Sequence, residues 1–183
     1  LLRGQGGDSF VTRVGNLTPI TATRFVITLD TDTDLPRDAA RRLVGTLAHP
    51  NNRAEIDPRT GTVTTGYGIL QPNVETTWDS AGKTPFSRLF SGHTGVDPYT
   101  TAVSNAYQDL FGEGIFIGKG IYDVDTFEET TRGSFPKNAI LSHDLLEGTY
   151  ARVGLVSDVV LYDGDAQCGH RRHLVGSVGL ELD

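Results

Sequence analysis

Apolar and β-branched residues form short runs along the chain, and the first of these, residues 25–29, is followed at once by alternating carboxylates. The run Phe-Val-Ile-Thr-Leu predicts a strand that is buried on both faces, as in a parallel sheet. Asp30, Asp32 and Asp34 then alternate with threonines. Because like charges at this spacing repel one another, the pattern favours a bound divalent cation over an acidic turn that merely caps the next helix.

The rest of the pattern alternates helices with strands and so predicts the α/β class. Apolar residues recur at three- and four-residue spacing in two amphipathic helices, residues 37–48 and 99–111. The remaining expected elements are helices at 125–131 and 142–153, strands at 9–14, 62–74 and 155–162, and a strand-like run at 115–117. Ser142 is the N-cap candidate of the last helix.

Length and charge limit the classes of function. A chain of 183 residues is one domain by length, and a net charge of -7 disfavours a nucleic-acid-binding surface. A single cysteine excludes an internal disulfide, and no apolar run approaches the ~20 residues of a membrane span. The chain begins at Leu1 and contains no Met, which predicts a piece of a longer protein.

The Asp-x-Asp pattern at Asp30 and Asp32 is shared by three chemistries. An EF-hand calcium loop is excluded, because Leu35 and Arg41 stand where that loop needs Gly and Glu. A phosphohydrolase of the haloacid dehalogenase type would use Asp30 as nucleophile and Asp32 as acid/base. A nucleotide-sugar glycosyltransferase would use both aspartates to hold a metal ion on the donor diphosphate. The pattern alone does not separate the last two.

Two further stretches carry candidate chemistry. Gly118-Lys119-Gly120 predicts a turn at which a ligand can approach the backbone and Lys119 can meet an oxyanion or a sugar hydroxyl; the alternative is a plain turn. Asp144 begins a predicted helix, where it is either a cap or a general base toward a hydroxyl. His143 is a candidate metal ligand or a partner of such a ligand. Glu147 lies on the same helical face as Asp144 and would position the base or bind the acceptor.

Four stretches in order resemble the glycosyltransferase domain of cyclic β-1,2-glucan synthases: FVITLDTDTDLPRDAARRLVGTLAHP, GYGILQPNV, DPYTTAVSNAYQDLFGEGIFIGKGIYDVDTF and FPKNAILSHDLLEGTYARVGLVSDVVLY. The resemblance covers residues 1–162 and leaves 163–183 as an atypical C-terminal tail. That domain is similar to processive GT-A transferases such as cellulose synthase. The resemblance implies a partial GT-A fold, a mixed sheet flanked by helices, without the N-terminal nucleotide-binding strands expected before Leu1.

The same resemblance implies a role for each candidate residue. Asp30 and Asp32 would hold Mg²⁺ or Mn²⁺, and Asp144 would be the catalytic base. Substrate contacts would come from Gln71, Gly118, Lys119, Gly120, His143 and Glu147. Two departures from the family pattern are that His143 stands where the family motif has Glu, and that no Arg-Trp motif follows the last strand.

The implied reaction is transfer of glucose from UDP-glucose to the 2-hydroxyl of a growing β-1,2-glucan, with inversion. The parent enzyme would lie at the cytoplasmic face of a bacterial inner membrane, with no direct membrane insertion by this segment. We expect the chain alone to be inactive, because the donor-binding strands should precede Leu1. The remaining hypothesis is a non-catalytic fragment that folds as a homo-oligomer and binds sugar or metal weakly.

Overall fold

The chain folds into seven strands, four α-helices and two short 3-10 turns, in a computed structural model that describes residues 2–3, 18–76, 102–135 and 143–163. The strands are β1 Phe25–Thr28, β2 Thr33–Asp34, β3 Glu55–Asp57, β4 Thr62–Thr65, β5 Ile69–Thr76, β6 Gly120–Asp123 and β7 Val153–Asp163. The helices are α1 Ala39–Leu47, α2 Ala102–Phe111, α3 Val124–Thr131 and α4 Asp144–Ala151, and the 3-10 turns are Thr18–Ala22 and Pro50–Asn52.

The predicted α/β class is confirmed, and so are the four predicted helices, with small shifts at their ends. The expected strand at 9–14, the N-cap candidate Ser142 and the tail beyond residue 163 lie outside the described residues. Within those residues, no helix combines the length and the apolar character needed to cross a bilayer.

Five strands form one mixed sheet in the order β1-β6-β5-β7-β2, and β3 and β4 form a separate two-stranded sheet. Only β5 and β7 pair in parallel among the neighbours in the large sheet. The expectation that residues 25–29 lie in a parallel sheet is therefore wrong, because β1 is an edge strand that pairs antiparallel with β6. The strand is buried because Phe25 and Ile27 belong to the core around α1.

Helices cover the large sheet on both faces. The first core cluster joins the apolar stripe of α1 to the sheet through Phe25, Ile27, Ala39, Leu43, Val44, Leu47, Leu70, Ile121, Val156 and Val159. The second joins the opposite face to α3 and α4 through Ile69, Phe116, Ala151 and Val153, with Tyr122 and Phe127 packed against it. Ile69 and Leu70 are neighbours in β5 but belong to different core clusters, because successive side chains of a strand point to opposite faces of the sheet.

The expected single strand at 62–74 is wrong, because two strands of different sheets occupy it. Gly66 has a φ of 69°, and a Cβ atom there would lie 2.0 Å from the carbonyl oxygen of Arg53. A Cβ atom on Gly68 would lie 2.6 Å from the carbonyl oxygen of Ala151. The two glycines therefore turn the chain where a side chain has no room. The strand-like run at 115–117 is not a strand either, because the next strand, β6, begins only at Gly120. The apolar character of the run is explained by Phe116, which packs in the second core cluster.

The parallel pair β5–β7 contains a bulge in its middle. Its register passes from Pro72 opposite Val156 to Asn73 opposite Val160, which leaves extra residues on β7. Proline has no N–H group to donate to a ladder, so a bulge is where a sheet tolerates it. The Asn73 side-chain amide donates to the Ser157 carbonyl at 3.0 Å and ties the bulge to β5.

Arg152 joins α4 to β7 and contacts two other segments of the chain, at Gly66–Tyr67 and at Gly112. Its φ of 52° is positive, which strains a residue other than glycine. The guanidinium group donates to the Gly66 carbonyl at 3.0 Å and to the Gly112 carbonyl at 3.1 Å. It also lies over the Tyr67 ring, with 5.1 Å between Cζ and the ring centroid. These contacts stabilise the backbone conformation that ends α4 and begins β7.

We predict that Arg152→Ala lowers the free energy of unfolding by about 2–3 kcal/mol. The change removes two charge-assisted hydrogen bonds to backbone carbonyls and a cation–π contact. Chemical denaturation measures the loss. The matched control is Arg132→Ala, which removes the ion pair between Glu128 of α3 and the C-cap residue of that helix and should change stability much less. Equal losses in the two variants would contradict the assignment.

Candidate functional site

A buried lysine lies between two carboxylates from distant parts of the chain. Lys119 Nζ is 3.1 Å from Asp30 Oδ2 and 2.5 Å from Asp163 Oδ2. The lysine side chain is 10% exposed, that of Asp163 is 27% exposed and that of Asp30 is 63% exposed. Asp30 follows β1, Lys119 precedes β6 and Asp163 ends β7, so three segments meet here.

A short strand brings the acidic segment to this cluster. In β2, Thr33 is the register partner of Asp163, and its hydroxyl donates to Asp163 Oδ1 at 2.6 Å. The backbone N–H of Thr33 also donates to the Asp30 carbonyl at 3.2 Å, which closes a turn. Asp30 and Asp32 therefore lie in a turn that is fixed to the end of β7, and Asp34 lies in β2 opposite Tyr162. The N-cap residue of α1 is Asp38.

Lys119 remains an ammonium group in this setting. Burial by itself lowers its pKa, but hydrogen bonds to Asp163 and Asp30, with the charges of the same two carboxylates, raise the pKa above its ordinary value. The alternative of a plain turn with a solvated lysine is wrong, because the side chain is buried and paired.

Gly118, the residue before Lys119, lies close to the Asp144 carboxylate. The residue has a φ of 86°, a conformation that favours glycine, and a Cβ atom there would lie 3.3 Å from Asp144 Oδ2. Glycine therefore permits both the turn and the close approach of the carboxylate. Since Lys119 is the next residue, the candidate base and the Asp30–Lys119–Asp163 cluster are held by neighbouring positions of one loop.

Two more predicted residues accompany Asp144 on the first turn of α4. His143 is the exposed N-cap residue, makes no capping hydrogen bond with its side chain, and accepts from the Glu147 N–H through its carbonyl at 2.8 Å. Its ring stands edge-on to Phe135, with 5.7 Å between centroids.

Burial raises the pKa of Glu147, the Asp144 charge raises this pKa further, and the His143 charge opposes both effects. Burial and the nearby Glu147 also raise the pKa of Tyr122.

Gln71 and Gly120 hold the site loop in place from the inside. The Gln71 side chain is buried; its Oε1 accepts from the Ile117 N–H at 3.0 Å, and its Nε2 donates to the Pro72 carbonyl at 2.9 Å. At Gly120 a Cβ atom would lie 2.4 Å from the Leu70 carbonyl oxygen. Both residues were predicted to contact substrate, and the contacts observed here position the loop that carries Gly118 and Lys119.

The donor chemistry of the acidic turn fits a hard divalent cation. Asp32 is half-buried, and Asp30 is exposed on the same turn. Two carboxylates suit Mg²⁺, whose coordination shell is commonly completed by water molecules and substrate phosphates. In the described part of the chain, no group of three or more His, Cys, Asp or Glu side chains could hold a metal ion by itself. The Asp30 carboxylate is paired with the Lys119 ammonium group instead.

Thr33 and Asp163 are site residues that the sequence did not single out together with Lys119. Asp163 is the last residue of β7, one position past the predicted domain boundary, and its carboxylate contacts Lys119. The available signal was an aspartate directly after a long apolar strand. The pairing with Lys119 spans 44 positions, so no local pattern could reveal it.

Over 164 residues, the chain is 48% identical to the cyclic β-(1,2)-glucan synthase NdvB of Rhizobium meliloti (strain 1021). The match covers 89% of this chain and 6% of the relative, so the chain spans a small part of the relative's length. No protein-family profile matches the chain. The resemblance to a segment of a cyclic β-1,2-glucan synthase, which was identified from the sequence, is confirmed by this match.

We predict that Glu147→Gln raises the melting temperature relative to wild type as the pH increases from about 4.5 to 7. The folded-state pKa of Glu147 lies above its ordinary value of 4.5, because burial and Asp144 disfavour the charged form. Its contribution to stability is therefore present below the ordinary pKa and is lost as the pH rises through the folded-state pKa. Glutamine does not ionise and does not show this loss.

Glu128→Gln is the control of opposite sign for this measurement. Hydrogen bonds from Arg3 and Arg132 lower the pKa of Glu128 in the folded state. Its stabilising effect is therefore present at neutral pH and is lost as the pH falls through its folded-state pKa. Melting curves of both variants and of wild type from about pH 3 to 7 provide the test, because the Glu128 contribution changes below its ordinary pKa of 4.5 and the Glu147 contribution changes above its own. The same pH dependence in the two variants would contradict the environment described for Glu147.

Proposed function

Because the chain is homologous to one segment of a cyclic β-1,2-glucan synthase, we propose that it forms the metal-binding and acceptor half of a GT-A-type glucosyltransferase. The segment would elongate β-1,2-glucan from UDP-glucose with inversion. The observation that carries the proposal is the approach of the Asp144 carboxylate to Gly118, next to the Asp30–Lys119–Asp163 cluster. This approach supports a base at Asp144 and a metal site at Asp30 and Asp32 in a chain homologous to a glucan synthase.

The segment would work as part of a longer enzyme. The match covers only 6% of the relative, and a diphosphate site leaves the uracil and ribose of the donor to other parts of the protein. Binding energy from those remote groups normally orients the reacting sugar, so a chain without them loses turnover as well as affinity. We place the enzyme at the cytoplasmic face of the inner membrane, where its nucleotide-sugar donor would be available.

In the proposed reaction, Asp144 accepts the proton of the acceptor 2-hydroxyl group as that oxygen attacks the anomeric carbon of the donor glucose. The new bond forms between the acceptor oxygen and the anomeric carbon, and the bond from that carbon to UDP breaks. The electron pair leaves with the UDP phosphate oxygen. Attack from the face opposite the leaving group inverts the anomeric centre.

Other residues on the first turn of α4 would orient the acceptor. Glu147 shares the electrostatic environment of Asp144, and His143 is exposed at the same helix end. Asp30 and Asp32 would hold Mg²⁺ or Mn²⁺, which supplies positive charge to stabilise the departing diphosphate. Gln71 and Gly120 would act through the loop that they support.

A phosphohydrolase of the haloacid dehalogenase type is the second candidate. The observation that favours it is the position of Lys119 between Asp30 and Asp163, since a lysine beside the nucleophilic aspartate would balance its charge. Such an enzyme would form a phosphoaspartate at Asp30, which beryllofluoride mimics. If the wild-type protein binds beryllofluoride and Asp30→Asn does not, the phosphohydrolase reaction is supported. If the wild-type protein does not bind beryllofluoride, the transferase proposal stands and the phosphohydrolase does not.

We predict that Asp144→Asn in the full-length protein lowers kcat for glucosyl transfer by about 10²–10⁴-fold, because an amide cannot accept the proton. UDP-glucose binding should be nearly unchanged, since the base contacts the acceptor. Radiolabelled UDP-glucose with a β-1,2-glucan acceptor measures transfer, and calorimetry measures donor binding. Asp158→Asn is the control, because it changes the same residue type at the bulge in β7. Normal turnover in Asp144→Asn would move the base to another residue.

We predict that Asp32→Ala abolishes metal-dependent transfer in the full-length protein and leaves the fold intact. The half-buried carboxylate lies in a turn outside both core clusters, so its removal creates no core cavity. Transfer is assayed at saturating Mn²⁺, and circular dichroism checks the fold. Activity within about tenfold of wild type would contradict the metal assignment, because loss of one of two protein ligands should cost more.

A further inference from the structure

The Lys119 ammonium group interacts unequally with its two partners. Its contact with Asp163 is shorter than its contact with Asp30, 2.5 Å against 3.1 Å. Asp163 is the less exposed of the two carboxylates, and the Thr33 hydroxyl fixes its other oxygen. Asp30 is mostly exposed. Lys119 is therefore anchored to Asp163, and it covers one oxygen of the exposed Asp30 carboxylate.

We propose that Lys119 is a resident cation at Asp30 that a metal ion must displace, and that Asp163 is the positioning residue that keeps Lys119 paired afterwards. The inference rests on the proposed function, because it takes Asp30 and Asp32 as the metal-binding pair. It assigns a role to Asp163 that the transferase resemblance does not include. It also gives Lys119 a role other than direct substrate contact.

The electrostatics give the two side chains opposite effects on metal affinity. A divalent cation at Asp30 and the Lys119 ammonium group repel each other, so Lys119 weakens metal binding. The Asp163 carboxylate neutralises Lys119 and attracts the cation, so Asp163 strengthens it. Because the side chains of Lys119 and Asp163 are 10% and 27% exposed, solvent screens this pair less than a surface ion pair.

The effect of Asp163 should depend on Lys119. With Lys119 present, removal of the Asp163 charge leaves the ammonium group paired with Asp30 alone, and the metal ion must then break that pair. With Lys119 absent, Asp163 has no cation to hold, and only its weaker direct attraction for the metal ion remains. A double-mutant cycle isolates this dependence.

The test measures Mn²⁺ binding to the full-length protein in the absence of nucleotide sugar. The electron paramagnetic resonance signal of free Mn²⁺ reports how much of the metal is bound. Binding that is lost in Asp32→Ala defines the site. We expect Lys119→Met to bind Mn²⁺ about three- to tenfold more tightly and Asp163→Asn about three- to tenfold more weakly, as for partly buried charges. In the Lys119→Met background, Asp163→Asn should have a clearly smaller effect.

An equivalent ion pair elsewhere in the fold supplies the matched controls. Arg42 on α1 pairs with Asp158 on β7, and both side chains are exposed. Arg42→Met and Asp158→Asn make the same charge changes outside the site and should leave Mn²⁺ affinity within about twofold of wild type, because exposed charges are screened. Thermal unfolding checks that every variant folds. If Asp163→Asn fails to fold, the shift in Lys119→Met still tests the displacement of the resident cation.

The outcomes separate this inference from the proposed function. Unchanged Mn²⁺ binding in Asp32→Ala would overturn the metal site on which both rest. Loss of binding in Asp32→Ala, with no change in Lys119→Met, would overturn the resident-cation inference and leave the transferase proposal standing. If Lys119→Met and Asp163→Asn both raise or both lower the Mn²⁺ affinity, the changes have a common structural cause. That result too would overturn the inference.

Discussion

The parallel pairing of β5 with β7 connects the segments that carry the candidate site residues. It sets Gln71 opposite Leu155 in the centre of the sheet, and from there Gln71 holds the loop before β6 through the Ile117 N–H. The far end of β7 carries Asp163 to β2 and to Lys119. The near end of β7 follows α4, which begins with Asp144. The site is therefore assembled around one pair of strands, although its residues are far apart in the sequence.

Charge balance explains why a loop with a nearly buried lysine is stable. An unpaired ammonium group at this depth would be costly, but two carboxylates and a threonine hydroxyl provide an ordered polar network. The same network leaves the Asp30 side chain largely exposed. The binding of a cation and an anionic donor that we propose would benefit from this arrangement, because the carboxylates would be oriented before the ligands arrive.

The sequence predicted the elements more reliably than the contacts between them. The apolar spacing of α1 and the β-branched run of β1 are local signals, and both elements are confirmed. The glycines Gly66 and Gly68 indicated a close backbone approach or a bulge, and close approaches are observed at both. The single strand expected at 62–74 was nevertheless wrong, because the chain is interrupted there and continues in a different sheet. Candidate residues such as Asp144 and Lys119 could be selected by residue type and position. The partnership of Lys119 with Asp163 could not, because it depends on strand pairing across the sheet.

The strain at Arg152 links the stability of the fold to the geometry of the site. Arg152 is the single residue between α4 and β7, so its backbone angles set the direction in which β7 leaves the helix that begins with Asp144. A positive φ at a non-glycine residue costs about 1–3 kcal/mol and persists only where surrounding contacts enforce it. Here the carbonyls of Gly66 and Gly112 and the ring of Tyr67 supply those contacts. The same conformation that strains the chain thus fixes Asp144, at one end of this helix–strand unit, relative to Asp163 at the other.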